Sequence, residues 1–206
     1  MTLTLSSLLD VAPVVPVVVL SDETQAVPLA RALAAGGLPI IELTLRTPAA
    51  LGAIRRIADE VPDILVGAGT VLNGQQAELA AAAGAQFLVS PGSTATLLNA
   101  MDATGLLYLP GVSTVSEMLA VAERGLTELK FFPAEAAGGA PYLASVASPL
   151  PQLRFCPTGG ITAATARRYL DLPNVGCVGG SWVTPADALA AGDWGRITRL
   201  AAEAAG

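Results

Sequence analysis

Histidine is absent from all 206 residues, and lysine occurs only once, at Lys130. The first absence removes the commonest general base near neutral pH, the commonest zinc ligand, and every Ser–His or Cys–His nucleophile pair. The second is odd against its background, because the other ten of the 11 basic residues are arginines. Cysteine is almost as scarce. Cys156 and Cys177 both fall in apolar, strand-like stretches and read as buried structural thiols rather than a disulfide. No apolar run reaches the roughly 20 residues of a spanning helix. The start of the chain lacks the basic residues of a signal peptide, and Pro13 and Pro16 interrupt its apolar stretch, so a cytoplasmic setting with no membrane partner is expected. Charged residues make up only 14% and the formal net charge is −6, which leaves nothing to attract nucleic acid or an anionic membrane. An anionic substrate would have to be held by a few local donors against an unfavourable overall field.

What the chain does have is apolar bulk (52% hydrophobic residues) together with 21 Gly and 15 Pro, a composition that suits a tightly packed α/β protein. Short β-rich runs recur at 13–20, 38–45, 63–70, 85–91, 106–112, 126–132, 153–158 and 175–181. Between them lie alanine-rich stretches with helical spacing, several opening on Thr or Asn and closing on Gly, as helix caps do. Strands and helices alternating through short loops force parallel strands with helices outside. Eight such units predict a (β/α)8 TIM barrel, a single domain over residues 1–206. The alternative is an open doubly wound sheet, but no strand here leads into a GxGxxG turn.

Strand side chains alternate, so parity assigns each to the barrel lumen or to the helix layer. In "PIIELTLR", Ile41, Leu43 and Leu45 take the helix side and leave Glu42, Thr44 and Arg46 pointing inward. In "LTELKFF", Leu129 and Phe131 face the helices while Lys130 and Phe132 point inward. A glutamate, an arginine and the one lysine are thus expected to converge near the carboxyl ends of the second and sixth runs, the end where barrels place their chemistry. Buried charges are costly unless paired, and replacing them by apolar residues is often neutral or stabilising, so such a trio needs a functional reason. Arginine would serve wherever only charge was wanted, but it does not deprotonate. A nucleophilic amine can lose its proton, given burial and a neighbouring cation such as Arg46, and a lysine there suits a Schiff base with a carbonyl substrate. Glu42 is then the general base among the inward groups.

Two later runs end alike, in "FCPTGGIT" and "CVGGSWVTPADAL". A lone Gly-Gly pair is ordinary turn chemistry. Two pairs on adjacent strands, Gly159–Gly160 and Gly179–Gly180 with Ser181, each followed by a helix start, read as a phosphate site after strands 7 and 8. Gly67 and Gly69, inside the third run, read as lumen space beside Thr70.

With these residues in hand, the chain resembles the 2-keto-3-deoxy-6-phosphogluconate aldolases, class I enzymes that include 4-hydroxy-2-oxoglutarate aldolases. The matching stretches are "PVVPVVVL", "IELTLRT", "VGAGTVLN", "AQFLVSPG", "LPGVSTVSE", "LKFFPAEA", "RFCPTGGI" and "CVGGSWV", in the family's order over residues 13–183. The resemblance implies that Lys130 is the Schiff-base lysine and Glu42 the proton-transfer residue. It implies that Arg46 and Thr70 hold the pyruvyl carboxylate, and that Pro91 and Phe132 shape the pocket around the reacting carbons. Gly159, Gly160, Gly179, Gly180 and Ser181 fall on the phosphate-holding turns. Thr158 matches the threonine of gluco-type members, where galacto-type relatives tend to carry an apolar residue. A homotrimer, with no cofactor and no metal, is implied as well. The departures are Ala137, where a polar or small residue is frequent, and an N-terminal helix that looks short. Two other readings stay open: a pyruvate-dependent aldolase for the galacto epimer or mainly for 4-hydroxy-2-oxoglutarate, and, more distantly, a non-catalytic phosphosugar-binding barrel in which Lys130 is only a clamp.

Overall fold

In the computed structural model, which describes residues 7–206, strands and helices alternate along the chain. The first half runs β1 (Val14–Val18), α1 (Ala26–Ala35), β2 (Ile40–Thr44), α2 (Ala50–Glu60), β3 (Leu65–Gly69), α3 (Gly74–Ala82), β4 (Phe87–Val89), α4 (Ala95–Ala103) and β5 (Leu107–Leu109). The second half runs β6 (Gly111–Val112), α5 (Val115–Ala122), β7 (Glu128–Phe131), α6 (Gly139–Val146), β8 (Arg154–Pro157), α7 (Ala163–Leu170), β9 (Val178–Gly180), α8 (Ala186–Ala191) and α9 (Trp194–Ala205). The expected caps are local causes of this punctuation. Asn73 accepts from the Gln76 N–H at 2.9 Å to start α3, and Thr114 and Glu117 form a reciprocal capping box at α5. Past α3 and α5, Gly84 and Gly125 take φ +93° and +81°, a turn conformation that side chains other than glycine rarely adopt. The short N-terminal helix expected from the sequence is not seen from Ser7 to Ala12, where the chain turns without forming a helix, and residues 1–6 lie outside the described residues.

All strand pairs are parallel, and the ladders fall into a six-stranded sheet, β5-β4-β3-β2-β1-β9, and a three-stranded sheet, β6-β7-β8. The ladders therefore do not close into the (β/α)8 barrel expected from the sequence, and two prolines explain where they break. The run at 106–112 is divided at Pro110, which has no N–H to donate, so β5 pairs with β4 while β6 pairs with β7. Between β8 and β9 the link reduces to isolated parallel bridges, Phe155↔Val175 and Thr158↔Gly179, flanking Pro157, which again brings no donor.

The outward strand faces and the inner helix faces form one contiguous apolar cluster, in which Ile41, Leu43, Val66, Leu129, Phe131 and Phe155 are each at most 1% exposed. Phe131 stacks on Tyr142 of α6, ring centroids 5.4 Å apart. That contact fixes which face of β7 meets the helices, and so which face carries Lys130.

Candidate active site

Lys130 sits in β7 with its N–H donated to the Pro110 carbonyl at 2.9 Å and its Cα in register with Gly111 on one side and Cys156 on the other. Because Leu129 and Phe131 are consumed by the helix layer, alternation sends the Lys130 amine to the opposite face. There its Nζ meets Glu42 Oε1 of β2 at 3.2 Å, across 88 residues of sequence. The pair is buried, at 4% exposure for Lys130 and 3% for Glu42. Two glycines keep the space open. A side chain at Gly69 would collide with the Glu42 carboxyl carbon at 2.6 Å, and one at Gly67 with the Phe87 ring. This matches their reading as lumen space and adds Phe87, buried at 1%, as an apolar neighbour that sequence reasoning missed.

Phe132 follows just past the end of β7, its ring centroid 5.5 Å from Lys130 Nζ. The same ring lies against Gly159, where a Cβ would approach it to 3.3 Å. Thr158, 7% exposed, has its hydroxyl directed at the Cys156 carbonyl at 3.4 Å and its own carbonyl taken by the Ala134 N–H at 2.8 Å. Pro91 abuts the backbone of Gly111, where any Cβ would strike the Pro91 carbonyl group. Ser90 and Ser93 pin that contact: the Gly111 N–H donates to Ser90 Oγ at 3.2 Å, and Ser93 Oγ donates to the Gly111 carbonyl at 2.7 Å. Neither serine was singled out from the sequence, although a glycine inside an apolar run signals such a close approach.

Arg46 departs from expectation. It lies two residues beyond the end of β2, is exposed, and forms no ion pair with Glu42. Alternation predicted it inward only as long as the strand continued, and Thr44 is the last strand residue. Instead its Nε donates to Thr70 Oγ1 at 3.1 Å, which joins the two residues expected to hold a carboxylate. Thr70 has φ +58° and is the one non-glycine residue among those described with positive φ. For a β-branched residue this is a strained conformation of the kind that costs about 1–3 kcal/mol and clusters at functional sites.

The two Gly-Gly pairs prove physically different. Gly159 and Gly160 form a true turn after β8, with φ +106° and +79°, and α7 begins three residues later behind a Thr162–Thr165 capping box. Gly179 and Gly180 lie within β9 and are buried. The space a side chain would need at Gly179 is taken by the Thr158 hydroxyl, and at Gly180 by the Trp182 ring. Ser181 emerges exposed just past that strand. The cysteines are both free and buried. A hydrogen bond with Cys156, reinforced by burial, pushes the Cys177 thiol well above its ordinary range, so it is held as an unreactive thiol. Among the described residues there is no cluster of three His, Cys, Asp or Glu side chains able to hold a metal ion, and no helix long and apolar enough to cross a membrane.

Residues 5–200 match the family model for KDPG and KHG aldolase. The KHG/KDPG aldolase of Escherichia coli K12 is 56% identical over 198 residues, covering 96% of this chain and 93% of its own. A crystal structure of the KDPG aldolase of Legionella pneumophila, with pyruvate captured at low pH as a covalent carbinolamine intermediate, superposes with a TM-score of 0.94 at 44% identity, covering 96% of each chain. The Zymomonas mobilis ZM4 enzyme, crystallised with 3-phosphoglycerate, gives a TM-score of 0.91 at 50% identity over 96% of this chain and 92% of that one.

Proposed function

The chain belongs to the KDPG and KHG aldolase family, and on that premise we propose that it cleaves 2-keto-3-deoxy-6-phosphogluconate to pyruvate and glyceraldehyde 3-phosphate by class I chemistry, and also acts on 4-hydroxy-2-oxoglutarate. The observation that carries this reading is the buried Lys130–Glu42 contact at 3.2 Å, an amine and a carboxylate held together away from water. Neutral Lys130 attacks the C2 carbonyl to give a carbinolamine, and loss of water leaves an iminium. That cation is the electron sink that bond cleavage requires. Glu42, directly or through a water, takes the proton of the C4 hydroxyl as the C3–C4 bond breaks. The electron pair of that bond passes into an enamine on Lys130, and glyceraldehyde 3-phosphate leaves. Protonation of the enamine at C3 by Glu42 regenerates the iminium, and hydrolysis frees pyruvate and the amine.

The other assignments follow from position. Arg46 and Thr70, joined at 3.1 Å, are the carboxylate clamp. Pro91 and Phe132 flank the reacting carbons, and Thr158, beside the Lys130 strand, favours the gluco epimer. Gly159, Gly160 and Ser181 receive the phosphate through backbone N–H groups and the start of α7, while Gly179 and Gly180 contribute by letting Thr158 and Trp182 pack closely behind it. We further propose one domain, closed into a (β/α)8 barrel across the two proline seams, assembled as a homotrimer in the cytoplasm. The two free buried thiols suit such a compartment.

Pyruvate with borohydride tests the central claim. Peptide mapping is expected to place one reduced adduct on Lys130, and an unmodified Lys130 after that treatment overturns the Schiff base. Kinetics on the gluco and galacto phosphosugar acids and on 4-hydroxy-2-oxoglutarate then rank the substrates.

A further inference from the structure

The turn at Gly159–Gly160 is gripped from outside by a group that plays no part in the chemistry above. After β7 the chain runs alongside this turn, with Ala134 N–H donating to the Thr158 carbonyl at 2.8 Å and Glu135 N–H to the Gly159 carbonyl at 3.1 Å. The stem of Glu135 fills the place of a Gly160 side chain, since a Cβ there would come within 2.8 Å of both Glu135 Cβ and Cγ. The head of Glu135 reaches Tyr169 of α7, whose hydroxyl donates to Oε1 at 2.7 Å. Tyr169 is 1% exposed and belongs to the helix that starts directly behind the turn. Burial, with the Glu135 carboxylate adding to it, pushes the Tyr169 phenol well above its ordinary range. The hydroxyl therefore stays protonated and keeps donating. Backbone on one side, a carboxylate stem on another and a buried phenol anchoring that carboxylate together define the turn's shape.

We propose that Glu135 and Tyr169 are positioning residues for phosphorylated substrates: they hold the Gly159–Gly160 turn in the form that presents its N–H groups to a phosphate. This rests on the phosphate reading of the turn given above. Neither residue needs to touch the substrate. A negatively charged side chain beside a phosphate site is unfavourable by itself, and here it is tolerated because Tyr169 neutralises part of its hydrogen-bonding demand and the stem, not the charge, faces Gly160.

The test is a comparison of Glu135→Ala, Glu135→Gln and Tyr169→Phe on 2-keto-3-deoxy-6-phosphogluconate and on phosphate-free 4-hydroxy-2-oxoglutarate. Glu135→Ala and Tyr169→Phe should raise KM for the phosphorylated substrate about tenfold, the scale of one hydrogen bond to a charged group, with kcat nearly unchanged, as expected when only binding is lost. Neither should change KM for 4-hydroxy-2-oxoglutarate. Glu135→Gln keeps an amide oxygen for the Tyr169 hydroxyl and should restore the wild-type KM. Equal losses on both substrates, no loss on either, or a Glu135→Gln variant as impaired as Glu135→Ala would each overturn the proposal. Glu135 is exposed, so its variants report even where Tyr169→Phe folds poorly. Ser181→Glu separates the two levels of inference. If it affects both substrates equally, the phosphate reading itself fails. If it is selective for the phosphorylated substrate while Glu135→Ala is silent, only the positioning role fails.

Discussion

An acid–base ion pair stands at each end of the parallel strands, and bond length alone does not tell them apart. Near the carboxyl end, Lys130 meets Glu42 at 3.2 Å with side chains only 5% and 4% exposed. At the amino end, Arg154 meets Asp10 at 2.5 Å and Glu128 at 3.5 Å, and there the side chains are 40%, 58% and 23% exposed. Ser7 and the Leu8 N–H also bond to Glu128, so the amino-end group ties the incoming chain to β7 and β8. The first pair gives up hydration that its mutual attraction repays poorly. The second keeps its water and contributes little. On the proposed reading the buried pair is kept for chemistry, whereas the exposed one serves as a fastening.

The largest test of that contrast is Lys130→Ala. Cleavage should fall on the order of 10⁶-fold, as when a covalent nucleophile is removed, and stability should drop by about 3–5 kcal/mol because Glu42 is left buried alone. Combining Lys130→Met with Glu42→Leu should return most of that stability while activity stays absent. A double variant as unstable as the single one would mean that the ion pair does hold the fold. Glu42→Gln is expected to lose about 10²–10⁴-fold in kcat, the usual share of general acid–base catalysis, while pyruvate–borohydride trapping at Lys130 persists.

Thr70→Gly separates strain from function at the same end. Releasing φ +58° should raise the melting temperature slightly, since relief of about 1–3 kcal/mol exceeds the roughly 0.5–1 kcal/mol entropic cost of glycine. Pyruvate binding should weaken through the lost hydroxyl. The smallest effect belongs to the amino end. Hydrogen bonds from the Arg154 guanidinium lower the Asp10 carboxyl from 3.8 to about 2. A depressed folded-state value means that its contribution is present above about 3.8 and is lost as pH falls through about 2. Asp10→Asn should therefore cost at most about 1 kcal/mol at neutral pH and flatten the acid limb of a thermal-stability profile between those values. A large loss at pH 7 would erase the distinction between the two ends.

Parity along β2 and β7 was legible because each strand contributes alternating residues to two different surroundings, and Leu129 and Phe131 could be assigned to the helices by apolarity alone. That was enough to direct Lys130 and Glu42 toward the same interior. The same rule misplaced Arg46, because sequence does not announce that β2 stops at Thr44. It also treated Gly159–Gly160 and Gly179–Gly180 as equivalent. Only packing shows that the first pair turns the chain while the second makes room for Thr158 and Trp182. Glu135 and Tyr169 were invisible for a similar reason, since their bond spans 34 residues and leaves no local pattern.

By itself, then, the sequence determined the alternation of strands and helices, the apolar face of each strand, the caps, and the presence of a single lysine in a chain of arginines. Those are properties of neighbouring residues, and short-range sterics and burial set them. Tertiary structure alone decided that Glu42 is the partner of Lys130 at 3.2 Å, that Arg46 turns to Thr70, and that prolines 110 and 157 mark the seams between the sheets. Each of these depends on which distant segments the fold brings into register, and register is fixed only when the whole core packs.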